Sequence, residues 1–94
     1  MKVNFRFVGV FRNVTNKNKL TLELREGMQL KEAIKRIVEV FPRMEKVLID
    51  PELGDPRPNT LIIVNGREIS VLKGLETVLN DGDEVVFIPV SHGG

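Results

Sequence analysis

Two short runs that alternate between apolar and polar residues open this chain, and one amphipathic run with a different period follows them. Val3, Phe5 and Phe7 alternate with Asn4 and Arg6, and Leu20, Leu22 and Leu24 alternate with Thr21 and Glu23. A period of two buries one face of a strand and leaves the other in water. After Gly27 the period changes. Leu30, Ala33, Ile34, Ile37, Val38 and Phe41 recur at helical spacing, with Lys31, Glu32, Lys35, Arg36 and Glu39 on the other face. That stripe predicts a helix, which Pro42 stops. Its start is weaker, because Gln29 is not a favoured N-cap. One clear helix among half-buried strands must pack on a sheet, since neither element can bury its apolar side alone.

The remaining segments fit this layout. Arg12 to Lys19 is polar, with Asn13, Asn16 and Asn18, and reads as the turn of an N-terminal hairpin. Met44 to Ile49 is compatible with a further turn of helix. Asp50 to Asn59 holds Pro51, Gly54, Pro56 and Pro58 and reads as loop. Thr60 to Val64 is a short apolar strand, Asn65-Gly66 a two-residue hairpin signal, and Arg67 to Ile69 the return strand. Leu75, Val78 and Leu79 point to a short helical turn. Asn80-Asp81-Gly82-Asp83 makes a tight turn into a last strand, Glu84 to Val90. The fold class is therefore α+β: a mixed sheet of four to five strands packed on one main helix, with the first and last strands as parallel neighbours at the centre.

Composition narrows the function classes. The 94 residues form one domain. The net charge of +1 gives no strong field toward nucleic acid or a membrane. Lys2, Arg6, Arg12, Lys17 and Lys19 fall near the first hairpin as a candidate basic patch, but the chain has no Trp or Tyr to stack bases. The absence of cysteine excludes a disulfide scaffold, an iron–sulfur cluster and a thiol nucleophile on this chain. No apolar run approaches the roughly 20 residues that span a bilayer. The first residues, with Lys2, Arg6 and Arg12, lack the apolar core of a secretory signal. The expected compartment is the cytoplasm.

The sequence finishes Ser91-His92-Gly93-Gly94, directly after the last strand. A diglycine adds little to a domain's stability, because glycine has the most freedom to lose. It presents a carboxylate well: with no side chains, it can thread a narrow channel. Extended, Val90 to Gly94 spans roughly 15 Å. The expectation is a domain over 1–90 and a flexible tail over 91–94.

Together, Lys2-Val3-Asn4-Phe5-Arg6-Phe7, Ile63-Val64-Asn65-Gly66, Leu79 to Pro89 and the terminal Gly93-Gly94 make the chain resemble the ubiquitin-like β-grasp sulfur carriers of the MoaD/ThiS family. These include the molybdopterin synthase small subunit, the thiamine sulfur carrier, the ubiquitin-related modifier and the small archaeal modifiers. The Asp81-Gly82-Asp83-Glu84-Val85 and Phe87-Ile88-Pro89 pattern is closer to MoaD; the ending Ser91-His92-Gly93-Gly94 is closer to the ubiquitin-related modifier. The resemblance implies that a ubiquitin-activating-type (MoeB/ThiF-like) enzyme adenylates Gly94. Sulfur then replaces AMP to leave a thiocarboxylate. It implies no cofactor on this chain and no catalysis by it alone; ATP, Mg²⁺ and any zinc belong to the partner. The first expected acceptor pathway is molybdopterin formation, with a MoaE-like large subunit. The alternatives are conjugation of Gly94 to target-protein lysines, sulfur donation to tRNA, and a non-covalent β-grasp interaction module.

Gly94 would carry the reacting carboxylate, and Gly93 would supply clearance. If Val85 and Phe87 face the helix, Val86, Ile88 and Val90 lie on the open sheet face, which in this family binds the activating enzyme beside the tail. The Asp50–Asn59 loop is an alternative cover for that face. Arg6 would point outward there, where family members often carry an apolar or aromatic residue, and marks a more polar partner contact. His92, the single histidine, has no neighbour to orient it as a base; it reads as a solvated tail residue or a partner contact.

Overall fold

The computed structural model describes residues 1–90. The tail residues Ser91, His92, Gly93 and Gly94, and every expectation placed on them, lie outside the described residues.

Strand β1 (Lys2–Phe7) turns its alternate residues Val3, Phe5 and Phe7 into the core. It pairs antiparallel with β2 (Lys19–Glu23), with Val3 opposite Leu22 and Phe5 opposite Leu20. The connection between them is not a plain turn. It holds helix α1 (Val10–Thr15), which buries Phe11 and Thr15. Thr15 donates its hydroxyl to the Phe11 carbonyl at 2.9 Å, and Asn16 ends the helix in the left-handed region at φ 59°. An asparagine tolerates that conformation better than most residues. The hairpin expectation holds for the strands and fails for the Arg12–Lys19 turn. Phe11 lies just outside that polar stretch, and the helix exists to carry it inward.

Helix α2 (Leu30–Val40) presents Leu30, Ala33, Ile34 and Ile37 to the sheet. Gln29 makes no side-chain cap, as its chemistry predicts. The helix start is instead held by tertiary bonds: the Leu30 N–H donates to the Thr77 carbonyl at 2.8 Å, and Gln29 bridges to Val78. Phe41 is half-buried and sets its ring edge-on to Phe7 at 5.9 Å. After Pro42 the chain continues in helix α3 (Met44–Leu48), which buries Met44 and Leu48.

The loop then leads to β3 (Thr60–Val64). At Asn65-Gly66 both residues have positive φ, 50° and 81°, the requirement of the tight hairpin turn that this dipeptide favours. The return strand β4 is only Arg67–Glu68. Ile69 leaves the sheet for a 3₁₀ turn, Ile69–Val71, because the Glu68 carboxylate accepts the Ser70 N–H at 2.6 Å and caps it. The helical turn expected near Leu75 is a second 3₁₀ turn, Gly74–Glu76, which ends before Val78 and Leu79. Strand β5 (Glu84–Pro89) stops one residue short of Val90, whose N–H donates to the Asn59 carbonyl at 2.9 Å.

The sheet order is β2-β1-β5-β3-β4, with β1 and β5 parallel in the middle and every other pair antiparallel. This is the mixed five-stranded α+β sheet that the sequence predicts. Phe87, fully buried on the central strand, stacks near Phe5 and Phe7 at 6.1 Å each and meets Phe11 edge-on at 6.5 Å. Such offset and edge contacts add to plain area burial. No helix among the described residues is long and apolar enough to cross a membrane.

Candidate functional site

Strand β5 carries the chain to the point where the described residues end, so its two faces decide what surrounds that exit. Val85 and Phe87 are fully buried beneath the helices, while Val86 and Ile88 stay half-buried on the uncovered side. The β3 register puts Ile63 beside Val86 and Leu61 beside Ile88. Leu61 is 38% exposed and Val90 41%. Five aliphatic side chains thus form one apolar field leading to the exit of the chain. Grouped apolar residues of this kind on a folded surface mark interaction sites. Leu61 and Ile63 are absent from the residues singled out by β5 alternation, because only the β3–β5 pairing brings them to the face.

The border of the field is polar. Arg6 lies opposite Val86 across the parallel pair, and its Nε is 3.4 Å from a Glu84 carboxylate oxygen. Both side chains are about half exposed, so the pair contributes little stability. The guanidinium does point outward, as predicted. The Asp50–Asn59 loop leaves Leu61 exposed. Its Arg57 joins Thr60, Leu61 and Val90 around a cleft of about 170 Å³ at the margin of the face. Asp55 holds Arg57 there through side-chain hydrogen bonds of 3.0 and 3.1 Å from Nε. These bonds keep the Asp55 carboxyl below its ordinary pKa against its partial burial.

The far end of β5 has a different character. Asp83, 9% exposed, accepts the Asn80 N–H and the Asn65 side-chain N–H, each at 2.8 Å, and the Asn65 side-chain Oδ1 accepts the Glu84 N–H at 2.9 Å. The Lys2 N–H donates to Asp81 at 2.7 Å. These bonds lock the start of β5 to β1 and to the β3–β4 turn. The Asp81-Gly82-Asp83-Glu84 and Asn65-Gly66 segments are therefore structural, at the opposite end of the sheet from the exit. The five-residue basic patch also divides: Lys2 lies at this far end, opposite Glu23, and Arg6 is paired. No group of His, Cys, Asp and Glu among the described residues could hold a metal ion.

A parallel β1–β5 centre, one main helix and an open apolar face beside the chain's exit define a ubiquitin-like β-grasp protein of the sulfur-carrier and modifier class. The chain belongs to the ThiS family, whose pattern matches residues 5–94. It is 29% identical to the small archaeal modifier protein 3 of Haloferax volcanii, over 99% of this chain and 100% of that one. Its structure resembles the solution structure of Urm1 from Trypanosoma brucei, with a TM-score of 0.81 and 27% identity over 99% of this chain and 95% of the other. The crystal structure of SAMP1 from Haloferax volcanii superposes over the full length of both chains with a TM-score of 0.86, and at 16% identity it is a likeness of fold.

Proposed function

We propose that this chain carries sulfur as a thiocarboxylate on Gly94. An oxygen of the Gly94 carboxylate attacks the α-phosphorus of ATP in a ubiquitin-activating-type partner, forming an acyl-adenylate and releasing pyrophosphate. Hydrosulfide then attacks the acyl carbon, AMP leaves with the C–O electron pair, and a proton is lost to give the thiocarboxylate. A persulfide donor would give an acyl disulfide instead, which a further thiol must reduce. A free carboxylate cannot follow this route, because its leaving group would be oxide. Adenylation supplies the better one.

The observation that carries the reading is the position of the open face. Leu61, Ile63, Val86 and Ile88 lie on the strand that delivers the tail and its neighbour. A partner seated there receives Gly93 and Gly94 within a reach of roughly 15 Å. Val86, Ile88, Val90, His92 and Arg6 are the proposed partner contacts. Molybdopterin formation with a MoaE-like large subunit is the acceptor pathway we favour, on the Asp81 to Pro89 pattern of the sequence. The test is the intact mass of the untagged chain after incubation with ATP, a sulfur donor and an active adenylating enzyme. Exchange of one oxygen for one sulfur, mapped to Gly94, supports the proposal. An unchanged mass removes it.

A second reading is favoured by the likeness to a small archaeal modifier protein along the whole chain. Here the same adenylate passes Gly94 to a lysine of a target protein. Covalent ladders on denaturing gels of cell extract would support it, and they would vanish when Gly93-Gly94 is removed.

A further inference from the structure

The charge of this molecule is sorted along its strands. The first 22 residues contain five cations, Lys2, Arg6, Arg12, Lys17 and Lys19, and no acidic residue; the remainder holds nine basic and thirteen acidic residues. The fold turns this into a polarity. Asp81, Asp83 and Glu23 sit at the start of β1 and β5. Arg12, Lys17 and Lys19 sit at the other end, where β5 stops. Among the described residues, these three cations make no ion pair.

The cations line a shaped surface. Gly9, Arg12, Asn13, Asn16, Lys17 and Asn18 enclose an open concavity of about 580 Å³. Asn18 also borders a second hollow, with Lys19, Arg6 and Val86, so the basic surface runs without a break into the apolar field. Gly9 closes the other side: at φ 58° its backbone lies so near Pro89 that a Cβ there would come within 3.0 Å of the ring. The last residue of β5 thus rests on the wall of the basic concavity. The rest of the wall adds no opposing charge: Asn13, Asn16 and Asn18 are neutral. Their amides can donate to a carboxylate.

From this juxtaposition we infer that Arg12, Lys17 and Lys19 dock an acidic rim on the activating partner, around the channel that receives the tail. The inference rests on the activation reading above. A protein surface suits the site better than nucleic acid. The concavity contains no aromatic side chain to stack a base, and it adjoins an apolar face that only a folded partner would cover. Opposite charges around an entry channel raise the encounter rate and fix the orientation of docking.

Two measurements test it. The first is an NMR titration of the full chain with decaglutamate at low ionic strength. Shifts should centre on Gly9 to Lys19; shifts centred on the α2 cations, or none, would overturn the inference, as would displacement of decaglutamate by an equal charge of oligouridine. The second is turnover by an adenylating enzyme that accepts the wild-type chain. Arg12→Glu with Lys17→Glu should raise KM roughly tenfold and leave kcat unchanged, and the loss should shrink at high salt. Lys35→Glu with Arg36→Glu on α2 makes the same charge change and should have no effect. Arg12→Gln with Lys17→Gln should fall between, with an unaltered melting temperature. An unchanged KM in the Arg12 and Lys17 variants, while removal of Gly93-Gly94 still abolishes turnover, defeats the acidic rim alone. Turnover that survives removal of Gly93-Gly94 defeats the activation reading itself.

Discussion

The two faces of β5 are built from the same kind of residue and do different work. Val85 and Phe87 point inward and have no exposed surface; Val86 and Ile88, one position along each time, point outward and keep some. Hydrophobicity alone does not separate them, because Val85 and Val86 are the same side chain. What separates them is the location of the helices. A strand that is apolar on both faces reads as buried on both. Here the chain's own helices cover one face, and the other is left open.

Five measurements can break or sharpen this contrast. The largest effect belongs to the tail: removing Gly93-Gly94 should abolish mass gain in the activation assay and leave the melting temperature unchanged. On the inner face, Phe87→Ala should cost about 3–5 kcal/mol in denaturant unfolding, since it empties the space shared with Phe5, Phe7 and Phe11. At the far end of the strand, Asp83→Ala should cost about 1–3 kcal/mol, because it strands the Asn80 N–H and the Asn65 amide. On the outer face, Val86→Asp should cost less than about 1 kcal/mol but weaken activation roughly tenfold. The new carboxylate would lie opposite Arg6, which softens its effect on folding. If Val86→Asp unfolds the domain while Phe87→Ala does not, the contrast between the faces is wrong.

The smallest effect lies at the margin of the outer face. Arg57 hydrogen bonds hold the Asp55 carboxyl below its ordinary pKa. A depressed folded value means a contribution to stability that is complete above the unfolded pKa. It is lost as pH falls through the folded one, so the loss falls below about pH 4. Asp55→Asn should flatten that part of a melting-temperature profile and leave neutral pH almost untouched.

Much of this architecture was legible in the sequence. The helical stripe from Leu30, the alternation of Val3, Phe5 and Phe7, and the Asn65-Gly66 turn each carry a period or a dipeptide with few alternative structures. Helix α1 was hidden because Arg12 to Lys19 is polar and turn residues dominate it. The signal lies at Phe11, Val14 and Thr15, spaced i, i+3 and i+4, but it is one turn long and crosses into the polar stretch that begins at Arg12. Ile69 reads as strand by local pattern alone, because that pattern does not show that Glu68 caps Ser70. At the site, alternation identified Val86 and Ile88, whereas Leu61 and Ile63 needed the long-range β3–β5 register. Arg12 and Lys17 were visible only as charges. Their place beside the end of β5 depends on Gly9 lying against Pro89.

The outermost strands have a consequence for how such a chain behaves when crowded. One border of the sheet, β4, is two residues long, and both are charged. The other, β2, bears Lys19 and Glu23 at its ends. Neither offers the long, flat, uncharged row of backbone groups on which a neighbouring copy could polymerise. Among the described residues, the borders of the sheet therefore give a crowded solution no template for fibril growth, and the apolar surface beside β5 lies on a face of the sheet instead.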